Sequence, residues 1–302
     1  MTVFMALFPL IILISLGYLL QRKRFVQPEF WANSEKLNYF ILFPVLLFNN
    51  LASVELNLAT IFPLLQAFFV VVLGVLAVLW LLKRIYAIPV ARFGVYVQSQ
   101  VRFNTYIGLA LMGTLYGTAG MQMFAMLIAV AIPVVNIFSV MAFSEGQSGR
   151  WYDTLLAIGK NPLILGCVVG VLFNLSGLQL FSGLKSLLNI LAATSLPLGL
   201  LSVGAALQFN QLSKGLLRLS TNTFSRLLIM PCLAFLAGWC LGLNELQSII
   251  LVTFFALPTA SAAYILTRYF QGDSQLMAGV ISLQTLCFMG SFPLLMWLFY
   301  SV

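Results

Sequence analysis

The sequence predicts an all-α polytopic membrane protein of ten transmembrane helices, and three observations lead there. First, 62% of the 302 residues are apolar and 7% charged, with mean hydropathy +1.05. Soluble domains carry roughly 25% charged residues, and disordered chains are poor in apolar ones. Second, about ten stretches reach the ~20 apolar residues that a helix needs to cross the hydrocarbon core, leaving only about 70 residues for loops and ends. Third, the basic residues fall mostly in alternate loops. A nucleotide-hydrolysing domain has no room, no Gly-rich phosphate loop is present, and no soluble domain is expected.

The first span covers about 3–20. Arg22-Lys23-Arg24 follows it and no basic residue precedes it, the reverse of a cleavable secretory signal. The others lie near 36–53, 60–82, 91–114, 119–143, 155–175, 184–207, 216–242, 246–269 and 275–300. The longest interior loops are 21–35 and 144–154. Loops one, three, five, seven and nine hold twelve basic residues: Arg22, Lys23, Arg24, Lys36, Lys83, Arg84, Arg92, Arg150, Lys160, Lys214, Arg218 and Arg268. The even loops hold Lys185 alone. The positive-inside rule then puts both termini outside. The net charge of +8 therefore reads as membrane topology, with the lipid bilayer as partner and no nucleic acid. Cys167, Cys232, Cys240 and Cys287 fall in apolar segments and read as small buried hydrophobes. With no histidine in the chain, neither metal nor cofactor is expected.

An internal repeat supports a division into 1–145 and 146–302. Asn104-Thr105 in the fourth span precedes Gly117 by 13 positions from Asn104, and Pro258-Thr259 in the ninth precedes Gly272 by 14 from Pro258. Pro44 in the second span (FPVLLFNNLA) answers Pro197 in the seventh (LPLGLLSVGA). The offset is five spans, and an odd offset inverts one half against the other. Inverted repeats of this kind belong to secondary transporters, with the site at the repeat interface near the midplane.

Polar groups at membrane depth are costly, so they mark function. The fourth span carries Gln98, Ser99, Gln100, Arg102, Asn104 and Thr105 within eight residues. Arg102, near mid-depth, reads either as a cationic handle that pairs with a carboxylate, or as a structural arginine bound to helix-end carbonyls or snorkelling to the surface. A helix broken here leaves unpaired backbone groups that must line a cavity or find protein partners. Asn104 and Thr105 can serve them, and a half-helix N-terminus favours an anion. In the ninth span Pro258 lacks an N–H and disrupts its helix, with Thr253, Thr259 and Ser261 nearby. Asn49, Asn50 and Ser202 either reach the same centre or make ordinary interhelical hydrogen bonds. Arg226 reads as a cytoplasmic-end anchor. Gly113/Gly117, Gly166/Gly170 and Gly238/Gly242 have the spacing of close helix contacts.

The acids Glu29, Glu35, Glu55, Glu145, Asp153, Glu245 and Asp273 all fall in loops or at span ends. Ion coupling would have to use neutral oxygens or the substrate's own titration, so uniport or anion exchange is the simpler expectation. Without midplane acids, histidines or a nucleophile–base pair, the chain is not expected to be an enzyme. The candidate substrate-binding set is Arg102, Asn104, Thr105, Pro258, Thr259, Asn49, Asn50 and Ser202.

Four segments carry a resemblance: LNYFILFPVLLF, FNTYIGLALMGTLYG, SLPLGLLSVGAAL and ALPTASAAYIL. Along nearly the whole chain the sequence resembles the auxin efflux carrier family, which includes plant PIN-type carriers and bacterial organic-acid permeases. The resemblance implies a 5+5 inverted repeat, similar to bile-acid symporters and sodium–proton antiporters, whose broken fourth and ninth helices cross and bind the anion. PIN-like members have Pro-Asn-Thr at the first crossover; here Asn104 and Thr105 match and Phe103 replaces the proline. Pro258 matches the ninth-span proline, and Arg102 lies outside the pattern. The short central loop resembles bacterial members, and the family implies a homodimer. The expectation is a permease for a small organic anion, a mono- or dicarboxylate, working by alternating access in a bacterial cytoplasmic membrane. A membrane ligand sensor, a non-transporting subunit, or a carrier of cationic or neutral solutes is the second reading.

Overall fold

Lipid offers no hydrogen bonds, so a chain this apolar must satisfy its backbone within helices or closed barrels. The computed structural model takes the helical solution and describes residues 2–54, 58–143, 159–212 and 215–300. The described residues contain helices and no strand. Arg150, Lys214, Glu55, Glu145, Asp153, the start of the sixth span at 155–158 and the division at 145/146 lie outside them.

Among the described residues thirteen α-helices follow in order: α1 (Thr2–Arg22), α2 (Pro28–Leu37), α3 (Phe43–Ala52), α4 (Leu58–Tyr86), α5 (Val90–Val101), α6 (Thr105–Met141), α7 (Pro162–Ser176), α8 (Ser182–Ala205), α9 (Leu216–Phe224), α10 (Met230–Cys240), α11 (Glu245–Ala256), α12 (Ala262–Tyr269) and α13 (Ser274–Tyr300). Two π-helical turns, Asn38–Leu42 and Ser225–Ile229, join α2 to α3 and α9 to α10 without a break. Among the described residues six helical stretches are long and apolar enough to cross a membrane. One of them, Val90–Met141, has 52 residues. As a straight helix it would be about 78 Å long, more than twice the ~30 Å hydrocarbon core. It is interrupted at 102–104 and again at Gly117, where φ is 57° and ψ −147°.

The helices sort into two groups by contact. The panel pairs α1 with α8 and α3 with α7, with α3 and α8 joining the pairs; the core gathers α4, α5, α6 and α9–α13. Glycines set the panel's tight seams. A Cβ on Gly17 would overlap the Leu201 carbonyl, and one on Gly204 the Ile14 carbonyl, so α1 and α8 meet backbone to backbone. On the other seam, Cβ atoms at Gly166 and Gly170 would come within 2.7 Å of the Pro44 carbonyl oxygen and 3.1 Å of the Phe48 Cα.

Two expectations are corrected. Among the paired glycines, Gly166/Gly170 packs two helices together, but Gly117 and Gly242 serve backbone geometry. Both have positive φ and open space where a Cβ would stand, and Gly242 ends α10 with Leu243 N–H returning to the Gly238 carbonyl at 2.9 Å. Of the cysteines only Cys167 is buried; Cys232, Cys240 and Cys287 lie exposed on the outer surface. Hydropathy does not tell a lipid-facing side chain from a core one.

The seam predicts a stability contrast. Gly204→Ala forces α1 and α8 apart at a cost of about 1–3 kcal/mol, lowering the midpoint of thermal unfolding in detergent by several degrees. Gly74→Ala, where a Cβ meets nothing within 4 Å, leaves it unchanged or slightly raised. Equal midpoints for the two variants would contradict the close approach.

Candidate functional site

The site grows from two broken helices. α5 stops at Val101 because Arg102 turns to extended geometry (φ −78°, ψ 145°). Asn104 is extended as well, and its side-chain oxygen caps α6 by accepting the Ile107 N–H at 3.2 Å. No proline is needed. Phe103, 4% exposed, instead packs its ring on Phe254 with centroids 4.2 Å apart. In the second break α11 ends at Ala256, Leu257 is extended and α12 restarts at Ala262. The two breaks touch: Asn104 N–H donates to the Pro258 carbonyl at 2.8 Å.

Two C-termini and two N-termini therefore meet at one place, and they are treated differently. The C-terminal carbonyls of α5 and α11 lack helical partners and carry the negative end of each dipole. Arg226 binds them. Fully buried at 0% exposure, it donates from Nε to the Leu257 carbonyl at 2.8 Å, from Nη2 to the Phe254 carbonyl at 3.2 Å and from Nη1 to the Gln100 carbonyl. The expectation of a membrane-end anchor is thus corrected: the π-helical turn carries Arg226 under the crossing. Helix-end carbonyls are bound by an arginine, but by Arg226 and not Arg102. Around it runs a polar net. Thr259 N–H donates to Gln284 Oε1 at 2.8 Å, Gln284 Nε2 to Asn222 Oδ1 at 3.0 Å, and Asn222 Nδ2 to Ser99 Oγ at 2.7 Å.

The N-termini of α6 and α12 open instead on a cavity of about 790 Å³. Arg102, Asn104, Thr105, Tyr106, Ser261 and Ala262 line it from the crossing, and Glu35, Lys36, Tyr39, Phe40 and Phe43 from the α2 side. Among the described residues the Arg102 guanidinium has no hydrogen-bond or ion-pair partner; Tyr39 is its electrostatic neighbour. The lining also includes Asn161, Tyr269 and Phe270, so the cavity reaches the ends of the odd-numbered loops. A second cavity of about 390 Å³ holds Asn49, Asn50, Thr118 and Asn189. On the wall of the larger cavity stands an edge-to-face pair, Phe43 and Tyr106, with centroids 4.9 Å apart, and Gly199 lies against the Tyr106 ring.

The structure brings Arg102, Asn104 and Thr105 together on the larger cavity. Pro258 and Thr259 hold the second break from behind it. Asn49 and Asn50 face the smaller cavity, Asn49 bonded to Asn189 at 3.2 Å and Asn50 to the Leu46 carbonyl at 2.8 Å. Ser202 is buried outside both cavities with no partner for its hydroxyl. Glu35, expected in a loop, sits on α2 and lines the larger cavity. Glu35 and Arg226 lie outside the four resembling segments, and Tyr39 and Tyr106 lie inside two of them as aromatics not singled out; the signal available for Arg226 was a charge adjoining a long apolar run.

The family described as membrane transport protein matches residues 152–296. The chain is 23% identical over 203 residues to the uncharacterized transporter YfdV of Escherichia coli (strain K12), covering 65% of this chain and 64% of that relative, less than two thirds of its length. It is 22% identical over 289 residues, 94% of each chain, to an uncharacterized transporter of Methanothermobacter thermautotrophicus.

Arg226 carries a direct prediction. Arg226→Met strands three carbonyls in a dry interior and lowers stability by about 3–5 kcal/mol, read as a fall in the thermal midpoint or in recovery of folded protein. Arg226→Lys keeps the charge but not the fork and falls between. A Met variant as stable as the wild type would show that the crossing holds without the arginine.

Proposed function

We propose, for a chain that belongs to the auxin efflux carrier-like family of membrane transport proteins, that it is a secondary transporter carrying a small organic anion by alternating access. The observation that carries this reading is Arg102, without a partner among the described residues, in a cavity where two helix N-termini converge. Helix N-termini favour negative charge, and a guanidinium can hold a carboxylate bidentately. The substrate is a mono- or dicarboxylate, and the transporter catalyses no reaction.

The architecture is ten spans in two inverted repeats, 1–145 and 146–302. Packing supports it. α1 on α8 is the first span on the seventh, and α7 on α3 is the sixth on the second; a five-span offset makes these one contact used twice. The breaks fall in the fourth and ninth spans, the positions that such an offset relates. The panel and the core are the two bodies that move, and the Phe43–Tyr106 pair is the barrier on the closed side. With the termini outside a bacterial cytoplasmic membrane, the larger cavity faces the cytoplasm. Arg226 supplies the positive charge that the crossing C-termini would otherwise seek from a bound cation, which favours uniport or anion exchange over sodium coupling. A homodimer is the expected assembly.

Uptake of labelled malonate, malate, pyruvate and indole-3-acetate into proteoliposomes tests the reading. At least one is taken up saturably, and Arg102→Ala and Asn104→Ala raise its KM about tenfold or more, the loss of ~1.4 kcal/mol of binding, with the protein still folded. Uptake indifferent to Arg102→Ala would make that arginine structural. Flux of cations or neutral solutes alone would send the assignment to another substrate class.

A further inference from the structure

We propose that Glu35 is a resident competitor for the anion: its carboxylate lines the cavity on which α12 begins, and the substrate carboxylate binds once Glu35 is protonated or displaced. The inference rests on the organic-anion reading of the same cavity. Helix α2 runs through the π-helical turn into α3 without interruption, so Glu35 is carried on the panel into the cavity wall. Across the cavity Ser261 is the N-cap residue of α12, yet its side chain makes no capping bond to its own helix. Ser261 and Ala262, at the start of α12, share the cavity wall with Glu35. A panel carboxylate thus faces the same space as a broken helix of the core, at the end where negative charge is favoured. A second carboxylate arriving there meets like charge, which disfavours two ionised groups at one site.

Among the described residues, the other charged and titratable groups that line this cavity are Lys36 and Tyr39 on Glu35's own stretch, Arg102 at the first break, Tyr106 on α6 and Tyr269 on α12. None of these is a carboxylate, so among the described residues Glu35 is the lining group whose negative charge disappears on acidification. Protonation removes the competing charge, and anion binding strengthens as pH falls. Because Glu35 belongs to the odd-loop end of the panel, the effect follows the pH on that face.

The test compares the wild type, Glu35→Gln and Glu35→Asp in proteoliposomes, using the same four carboxylates at about pH 7.5 and about pH 5.5, a window above the ordinary Glu value near 4.3. Wild-type KM falls about tenfold on acidification, the equivalent of one unit of proton-linked affinity. Glu35→Gln starts at the low KM and changes only as the substrate itself ionises, while Glu35→Asp keeps the acid response. Monodisperse elution in detergent establishes that each variant is folded. A Gln variant with wild-type KM and pH response overturns the competitor and leaves the anion reading standing. A folded Gln variant that transports nothing also overturns it, since Glu35 would then be required and not competing. No uptake of any carboxylate by any of the proteins at either pH removes the anion reading and this inference with it.

Discussion

One buried guanidinium holds the helix crossing together. Two interrupted helices present their C-terminal carbonyls to each other, each end worth about half a negative charge. Hydrocarbon offers those carbonyls nothing, at a cost of several kcal/mol per unsatisfied group. Arg226 answers both ends at once, with three donors on three carbonyls drawn from the two broken helices. A buried charge is itself expensive, and here the opposing dipole ends offset it. The consequence reaches across the crossing: because Arg226 is spent on the fold, Arg102 is left facing the cavity.

That division of labour gives the site its polarity. The negative ends of the half-helices point into a sealed polar net of Ser99, Asn222, Thr259 and Gln284, and the positive ends of α6 and α12 open on space. The panel across from them is joined backbone to backbone at its glycine seams. Against a panel so joined, a core knitted by its own hydrogen bonds can shift as a body while Phe43 and Tyr106 part and re-form. Alternating access, as proposed, asks for such a pair of bodies meeting at a cavity.

Much of this was legible in the sequence, and the failures share a cause. Hydropathy places residues along the membrane normal, and the places where the two helices break could be read from Asn104-Thr105 and Pro258-Thr259. It says nothing about which way a side chain points in the plane. Arg226 adjoins an apolar run and so looked like an anchor, whereas a π-helical turn directs it inward. Glu35 precedes the apolar run and so looked like loop, whereas α2 extends the helix back to Pro28. Asn49 and Asn50 share a span with the site yet sit near the far end of α3, in the other cavity. Phe103 shows the reverse case: a motif residue is missing, but the break survives because tertiary contacts with Phe254 and Pro258 hold it.

The most direct test of the central claim is a structure determined with a brominated carboxylate bound, its position read from the anomalous signal. The account predicts bromine density in the larger cavity, with the carboxylate on Arg102 and the first turns of α6 and α12. Density beside Asn49 and Asn189, or an Arg102 turned away from the bound carboxylate, would contradict it.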